Sequence, residues 1–267
     1  MGNVLMSLAG AAVYAVISQL ISHPPPTQLQ INNKQECFKR QSCLAEARQK
    51  LGIDTKNSYN FALVGKSGVG KSSLINAICG FREGDPGAAK TGETETTQTA
   101  QRFQHPNASH IQLWDFPGGG TIRHRAANYF QDKHLYLFDA LLIVSAGRFE
   151  EFDVKLAQKA LENEVPVAFV RNKADVDIDN RARKQGLPKE KVKQQGSLVA
   201  FFIALSSDVK NDIRQQLPLE LAEVPVFTVS SWVLSGAEPA KDYGLDEELL
   251  LLYVAESALK RRPASAA

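Results

Sequence analysis

The chain has 267 residues, 43% hydrophobic and 22% charged, with a net charge of +2. That is room for one large globular domain with additional segments, and the near-neutral balance gives no electrostatic case for nucleic acid as a partner. The three cysteines, Cys37, Cys43 and Cys79, leave an odd count and form no metal-type cluster, which suits a reducing compartment.

The first segment, Val4 to Ser22, carries no charge. Asn3, Ser7, Gly10, Tyr14, Ser18 and Ser22 recur at helical spacing as a stripe of small and polar residues, opposite Leu5, Leu8, Ala12, Val16 and Leu20. The length is close to that of a membrane-spanning helix. Lys34, Lys39 and Arg40 follow and would keep the remainder on the cytoplasmic side of an intracellular membrane. Two readings stay open: attachment to such a membrane through residues 1–22, or a cytosolic protein in which this helix packs against the rest of the chain. A secretory signal is not expected, because no basic residue precedes the apolar stretch. A myristoylation signal fails as written, because Met6 stands where Ser or Thr is favoured.

Pro24-Pro25-Pro26 ends this helix, and a charged helical stretch near residues 33–52 follows, with Gly52 as its stop. We divide the chain into residues 1–23 (hydrophobic helix), 24–57 (Pro-rich linker and helix), 58–235 (main domain) and 236–267 (C-terminal helix and tail). In the main domain, strands are expected at 60–64, 111–114, 140–144, 167–170 and 225–229, and helices near 150–163 and 188–215. Alternating strands and helices predict an α/β fold with a mostly parallel sheet covered by helices on both faces. Arg181 to Lys193 is rich in basic residues and reads as a solvated helix face, with anionic lipid or a partner protein as the other reading. A last amphipathic helix is expected over Leu245–Lys260, and a loose tail from Arg261.

Between the first strand and a helical pattern lies Gly65-Lys66-Ser67-Gly68-Val69-Gly70-Lys71-Ser72, a complete phosphate-binding loop followed by Ser73. Its glycines let backbone N–H groups curl around a polyphosphate. Lys71 supplies charge for the β- and γ-phosphates, and the Ser72 hydroxyl is a ligand for Mg²⁺. A P-loop NTPase fold follows from this context. Asn172-Lys173-Ala174-Asp175 comes directly after the strand at 167–170. There the Asp175 carboxylate can accept from both the ring N–H and the exocyclic amine of guanine, a donor pair that adenine lacks. Asn172 would brace the site and Lys173 would lie along the base. Asp115-Phe116-Pro117-Gly118 follows a strand and places Asp115 toward the Mg²⁺ shell and the Gly118 N–H toward the γ-phosphate. Ser230-Ser231 occupies the place of a loop that contacts the guanine carbonyl. The polar stretch from Thr91 to Thr97 has the composition of a switch loop, in which one threonine must reach Mg²⁺ and the γ-phosphate; composition does not choose among four threonines. Gly119-Gly120 follows Gly118, where Ras-type enzymes carry a water-orienting Gln, so hydrolysis by a monomer is expected to be slow.

The stretch Gly87-Ala88-Ala89-Lys90-Thr91-Gly92 with Glu95 and Thr97, His105-Pro106-Asn107, Leu113 to Gly118, Arg148-Phe149 with Asp153, and Phe169-Val170-Arg171 before the base motif resembles the interferon-inducible, immunity-related GTPases. The resemblance covers roughly residues 58 to 232. It implies a Ras-like G domain, binding of GTP and GDP with Mg²⁺, slow GTP hydrolysis, self-assembly of like or related GTPases through the G domain on intracellular membranes, and a part in innate defence. It also implies that Thr97 is the switch threonine and a metal ligand beside Ser72 and Asp115. Glu95, with Lys71 and Thr97, would take part in catalysis once a second G domain completes the site. That family surrounds its G domain with a helical domain drawn from both ends. Few residues follow Val233 here, so force transmission through such a domain is not expected. A nucleotide-gated interaction module with negligible hydrolysis is the alternative.

Overall fold

A computed structural model describes residues 15, 16, 18, 20–22, 44–92, 99–119, 126–184, 197–236 and 245–262. The strands are β1 (Tyr59–Val64), β2 (Gln101–His105), β3 (Ala108–Asp115), β4 (Ala140–Ser145), β5 (Val167–Arg171) and β6 (Val226–Thr228). They form one sheet in the order β2-β3-β1-β4-β5-β6. Every neighbouring pair is parallel except β2 with β3, which run antiparallel at one edge. The helices that follow β1 are α1 (Lys71–Cys79), α2 (Ala126–Asp132), α3 (Glu151–Glu162), α4 (Ala174–Lys184), α5 (Ser197–Arg214), α6 (Ser231–Leu234) and α7 (Glu247–Arg261). This is an α/β architecture with a mostly parallel sheet, as the alternation of strands and helices predicts.

The strands are apolar on both faces because both faces are covered. β1 and β4 are buried throughout. Alternate residues of each strand enter opposite cores, as the two-residue period of a strand requires. Ala62, Val64, Leu141, Ile143 and Phe169 join residues of α2, α3 and α5, among them Phe130, Leu156 and Ile213. Phe61, Leu63, Leu142, Val144 and Val170 join Leu74 and Ile75 of α1 and Leu250, Val254 and Ala258 of α7. Leu20 belongs to this second core, and its carbonyl lies 2.7 Å from His110 Nε2. Among the described residues no helix is long and apolar enough to cross a membrane; residues 1–14 lie outside the description.

Two differences from the sequence reading stand out. β2 is not among the expected strands, because only Phe103 of its five residues is buried and the rest look like a polar loop. The tail does not begin at Arg261. Arg261 Nη1 donates to the Glu164 carbonyl, and Arg262 is buried against Asp139, with Nε and Nη2 at 2.5 and 2.6 Å from its two carboxylate oxygens. Arg262 Nη1 also reaches the carbonyls of Thr55 and Ser58, so the guanidinium holds together the edge where β1 and β4 begin. The expected helix near 188–215 is described over Ser197–Arg214, and residues 185–196 lie outside the description.

Candidate functional site

The site lies where β1, β3, β5 and β6 end, the edge at which parallel α/β sheets present loops to ligands. The loop Gly65–Gly70 leaves β1 and turns into α1. Gly70 has φ +91°, and a Cβ there would lie 2.5 Å from Asn172 Nδ2, so both conformation and close approach require glycine. α1 starts with no side-chain cap and no acidic residue in its first turn. Its leading N–H groups therefore present partial positive charge to an anion. Lys71 is buried, and its ammonium is held by the carbonyls of Gly65 and Lys66 at 3.1 and 2.9 Å, inside the curl of the loop. Val69 is buried at the base of the loop. The Lys66 side chain turns outward to Glu150, 2.5 Å away. Of this loop residue, the backbone therefore faces the cradle.

Ser72 Oγ donates to Asp115 Oδ2 at 2.5 Å, and Asp115 is buried at the end of β3. A hydroxyl and a carboxylate converging beside a phosphate cradle are the hard oxygen donors that Mg²⁺ uses alongside phosphate oxygens. Among the described residues there is no cluster of three or more His, Cys, Asp or Glu. After Asp115 the chain passes over the phosphate loop. A Cβ on Gly118 would come within 2.8 Å of Ser67 N, and Gly119 N–H donates to the Gly65 carbonyl at 3.3 Å. Thr97 and Glu95 lie in the stretch 93–98, outside the described residues, as does Gly120.

The base end is tied to the phosphate end by two side chains, Asn172 and Lys173. Asn172 is buried, and its amide donates to the carbonyls of Val69 and Gly70 at 3.1 and 3.2 Å. Its Oδ1 accepts from Ser231 N–H and Oγ at 3.1 and 3.0 Å. Lys173, at φ +60°, lies back over the loop and donates to the Gly68 carbonyl at 3.0 Å. Asp175 stands half-buried in the first turn of α4. Ser230 is fully buried and caps α6, its hydroxyl accepting from Trp232 and Val233 N–H. Three separate sequence motifs and the serine pair are thus one hydrogen-bonded assembly, with Ser73 on the first turn of α1 beside them.

Three supporting groups escape the sequence reading. Tyr129 of α2 donates its hydroxyl to the Pro117 carbonyl at 2.8 Å, and burial pushes its phenol well above the usual range. Phe152 of α3 presses on Gly119, where a Cβ would lie 2.2 Å from the ring. Glu247 of α7 accepts the Ser230 N–H at 2.9 Å. A lone Tyr, Phe or Glu far along the chain has no local pattern to mark it, so only the fold brings these residues to the site.

A family model described as Interferon-inducible GTPase (IIGP) matches residues 32–236. The mouse protein named Interferon-inducible GTPase 1 is 34% identical over 174 residues, covering 64% of this chain and 39% of that protein. Mouse Interferon-gamma-inducible GTPase 10 is 28% identical over 221 residues, covering 78% of this chain and 50% of that protein. The chain therefore spans half or less of the length of these relatives. Among solved structures, a dimerization-deficient mutant of Toc33 from Arabidopsis thaliana has a TM-score of 0.47 at 18% identity, covering 83% of this chain and 93% of that one. The family match runs from before β1 through the serine pair and takes in the phosphate loop, Asp115 and the base motif, and the chain belongs to the interferon-inducible GTPase (IIGP) family.

Proposed function

We propose that this chain binds GTP and GDP with Mg²⁺ and hydrolyses GTP to GDP and phosphate. The observation that carries this reading is Asn172, which joins the phosphate loop to Ser231 and so sets a guanine-type carboxylate, Asp175, beside a triphosphate cradle. Lys71 and the N–H groups at the start of α1 neutralise phosphate charge that grows on the leaving oxygen. Asp175 accepts the two guanine donors and leaves adenine unmatched. Ser72 and Asp115, with Thr97, would hold Mg²⁺, which supplies charge neutralisation across the β- and γ-phosphates. Gly118 contributes a backbone N–H near the terminal phosphate, while the Gly119 N–H is bonded to the Gly65 carbonyl. Neither has a side chain to orient water, so turnover by a single chain is slow. Glu95 from a site completed by a second copy, or by a related GTPase, supplies the missing orientation. A part in innate defence rests on the family resemblance, and the relatives' names add that those proteins are interferon-inducible.

The N-terminal segment carries two readings. Attachment to an intracellular membrane through residues 1–22 follows from its apolar composition. Packing of this helix on the G domain is favoured by a specific observation, the burial of Leu20 in the core beside α1 and α7. Pelleting with liposomes, in the presence of GTP or GDP, separates them.

GTP turnover measured against protein concentration tests the main reading. Specific activity should rise with concentration, vanish in Lys71→Ala and lose its concentration dependence in Glu95→Ala. Equal binding of ATP and GTP would overturn guanine recognition. Tight GTP binding with flat, near-zero turnover would leave a nucleotide-gated interaction module.

A further inference from the structure

α7 begins at the base end of the site, and its first residue carries a carboxylate that the phosphate chemistry does not use. Glu247 Oε1 accepts the Ser230 N–H at 2.9 Å. Ser231, next in the chain, donates twice to Asn172, and Asn172 donates twice to the phosphate loop. A continuous chain of hydrogen bonds therefore runs from α7 through the serine turn to the loop that holds phosphates. A backbone amide bound to a carboxylate is held more firmly than one bound to a neutral acceptor. Recognition groups are also only as well placed as the groups that support them.

We propose that Glu247 is a positioning residue for guanine recognition, holding the Ser230–Ser231 turn and Asn172 in register and thereby making α7 part of the nucleotide site. The inference rests on the reading of this site as one for guanine nucleotides. Its surroundings make the hold sensitive to pH. Burial is the main cause that pushes the Glu247 carboxyl up to about 7, while the Ser230 N–H opposes it. Asp246, just before the helix, and Asp175 on α4 add to the rise. Lys210 of α5 faces the cluster through its ion pair with Asp246. An ionised Glu247 accepts the Ser230 N–H strongly and a protonated one weakly, so the hold loosens as pH falls through about 7.

The test compares wild type, Glu247→Gln and Glu247→Ala by titration with fluorescent GDP between about pH 6 and about pH 8. Titration of the nucleotide's own phosphate is common to all three and cancels in the comparison. Wild-type Kd should rise about three- to tenfold more than that of Glu247→Gln as the pH falls across this range. Glu247→Gln keeps an acceptor and should bind at every pH with about the weaker affinity of acidic wild type. Glu247→Ala should lose about tenfold or more at the alkaline end. A second readout needs no nucleotide. The chain has two tryptophans; Trp114 is buried, while Trp232 is 64% exposed and its backbone N–H donates to Ser230 Oγ. Trp232 emission should titrate near pH 7 in wild type and not in Glu247→Gln. Equal affinities and equal pH slopes in all three proteins would overturn the inference. A wild type that binds no guanine nucleotide, with the Trp232 titration intact, would overturn the nucleotide reading and with it the role in recognition.

Discussion

Lys71 and Asp175 occupy the two ends of the site and should fail in different ways when changed. Lys71 is buried among loop carbonyls, and its removal takes a charge from the phosphates whatever base is attached. Lys71→Ala should therefore weaken GTP and GDP binding by about a hundredfold, with no change in base preference. Asp175→Ala should weaken guanine nucleotides by a similar factor and leave the weak binding of adenine nucleotides unchanged, because adenine never used the carboxylate. Competition titrations with GDP and ADP against both variants check the pair. Gly119 calls for a third substitution. A Cβ there would lie 2.2 Å from the Phe152 ring, so Gly119→Ala should cost about 1–3 kcal/mol in denaturant unfolding. Gly119→Ala combined with Phe152→Leu should recover part of that loss, because the smaller side chain makes room. The phosphate loop, Asp115 and the base motif are legible because each is a short local pattern at the end of an apolar strand. Phe152 and Tyr129 are not, since their partners lie on other elements and nothing nearby in sequence marks the contact.

Among the elements, α3 offers a test of how its first turn is built. Asp153 accepts the Glu150 N–H at 2.9 Å, and this cap places Phe152 against Gly119 and Glu150 beside Lys66. Burial pushes the Asp153 carboxyl up to about 6, with the nearby Glu150 charge acting the same way. The folded carboxyl thus titrates above the unfolded one. Its contribution to stability is full below about pH 4 and is lost as pH rises through about 6. Asp153→Asn keeps an acceptor for the Glu150 N–H and does not titrate. The variant should match wild type near pH 4 and exceed it by about 1–3 kcal/mol at pH 7, as urea unfolding at the two pH values would show. The elements themselves are legible to different degrees. β1, β4 and β5 are apolar runs buried on both faces and show plainly in sequence. β2 is an edge strand that buries Phe103 alone, and α4 is a polar helix whose first turn doubles as the base loop. In both cases hydrogen bonding and position, not apolar periodicity, decide the structure.

At the scale of the whole molecule, α7 runs along the strands, from the end of β6 to the start of β4. Its fifteen residues give about 22 Å of helix, enough to cross a strand's height. Its first residue, Glu247, holds the serine turn at the site, and Arg262 just past its end closes on Asp139 where β4 begins. Between them, Leu250, Val254 and Ala258 fill the core shared with α1. The terminal pair is invisible in sequence, because Arg262 stands among basic residues that resemble a solvated tail, and Asp139 lies far from it along the chain. Arg262 satisfies two further carbonyls, those of Thr55 and Ser58, so its loss strands a buried carboxylate and two acceptors at once. Arg262→Met should cost about 3–5 kcal/mol, the range for breaking a buried ion pair from one side. Asp139→Asn should cost a similar amount, because the guanidinium loses its counter-charge. Combining Asp139→Asn with Arg262→Met leaves a neutral amide facing an apolar side chain, and this double variant should be less destabilised than the two single losses added together. A double-mutant cycle by urea unfolding reads this coupling. Costs that simply add would mean that the two side chains stabilise the sheet edge independently, with no coupling across the pair.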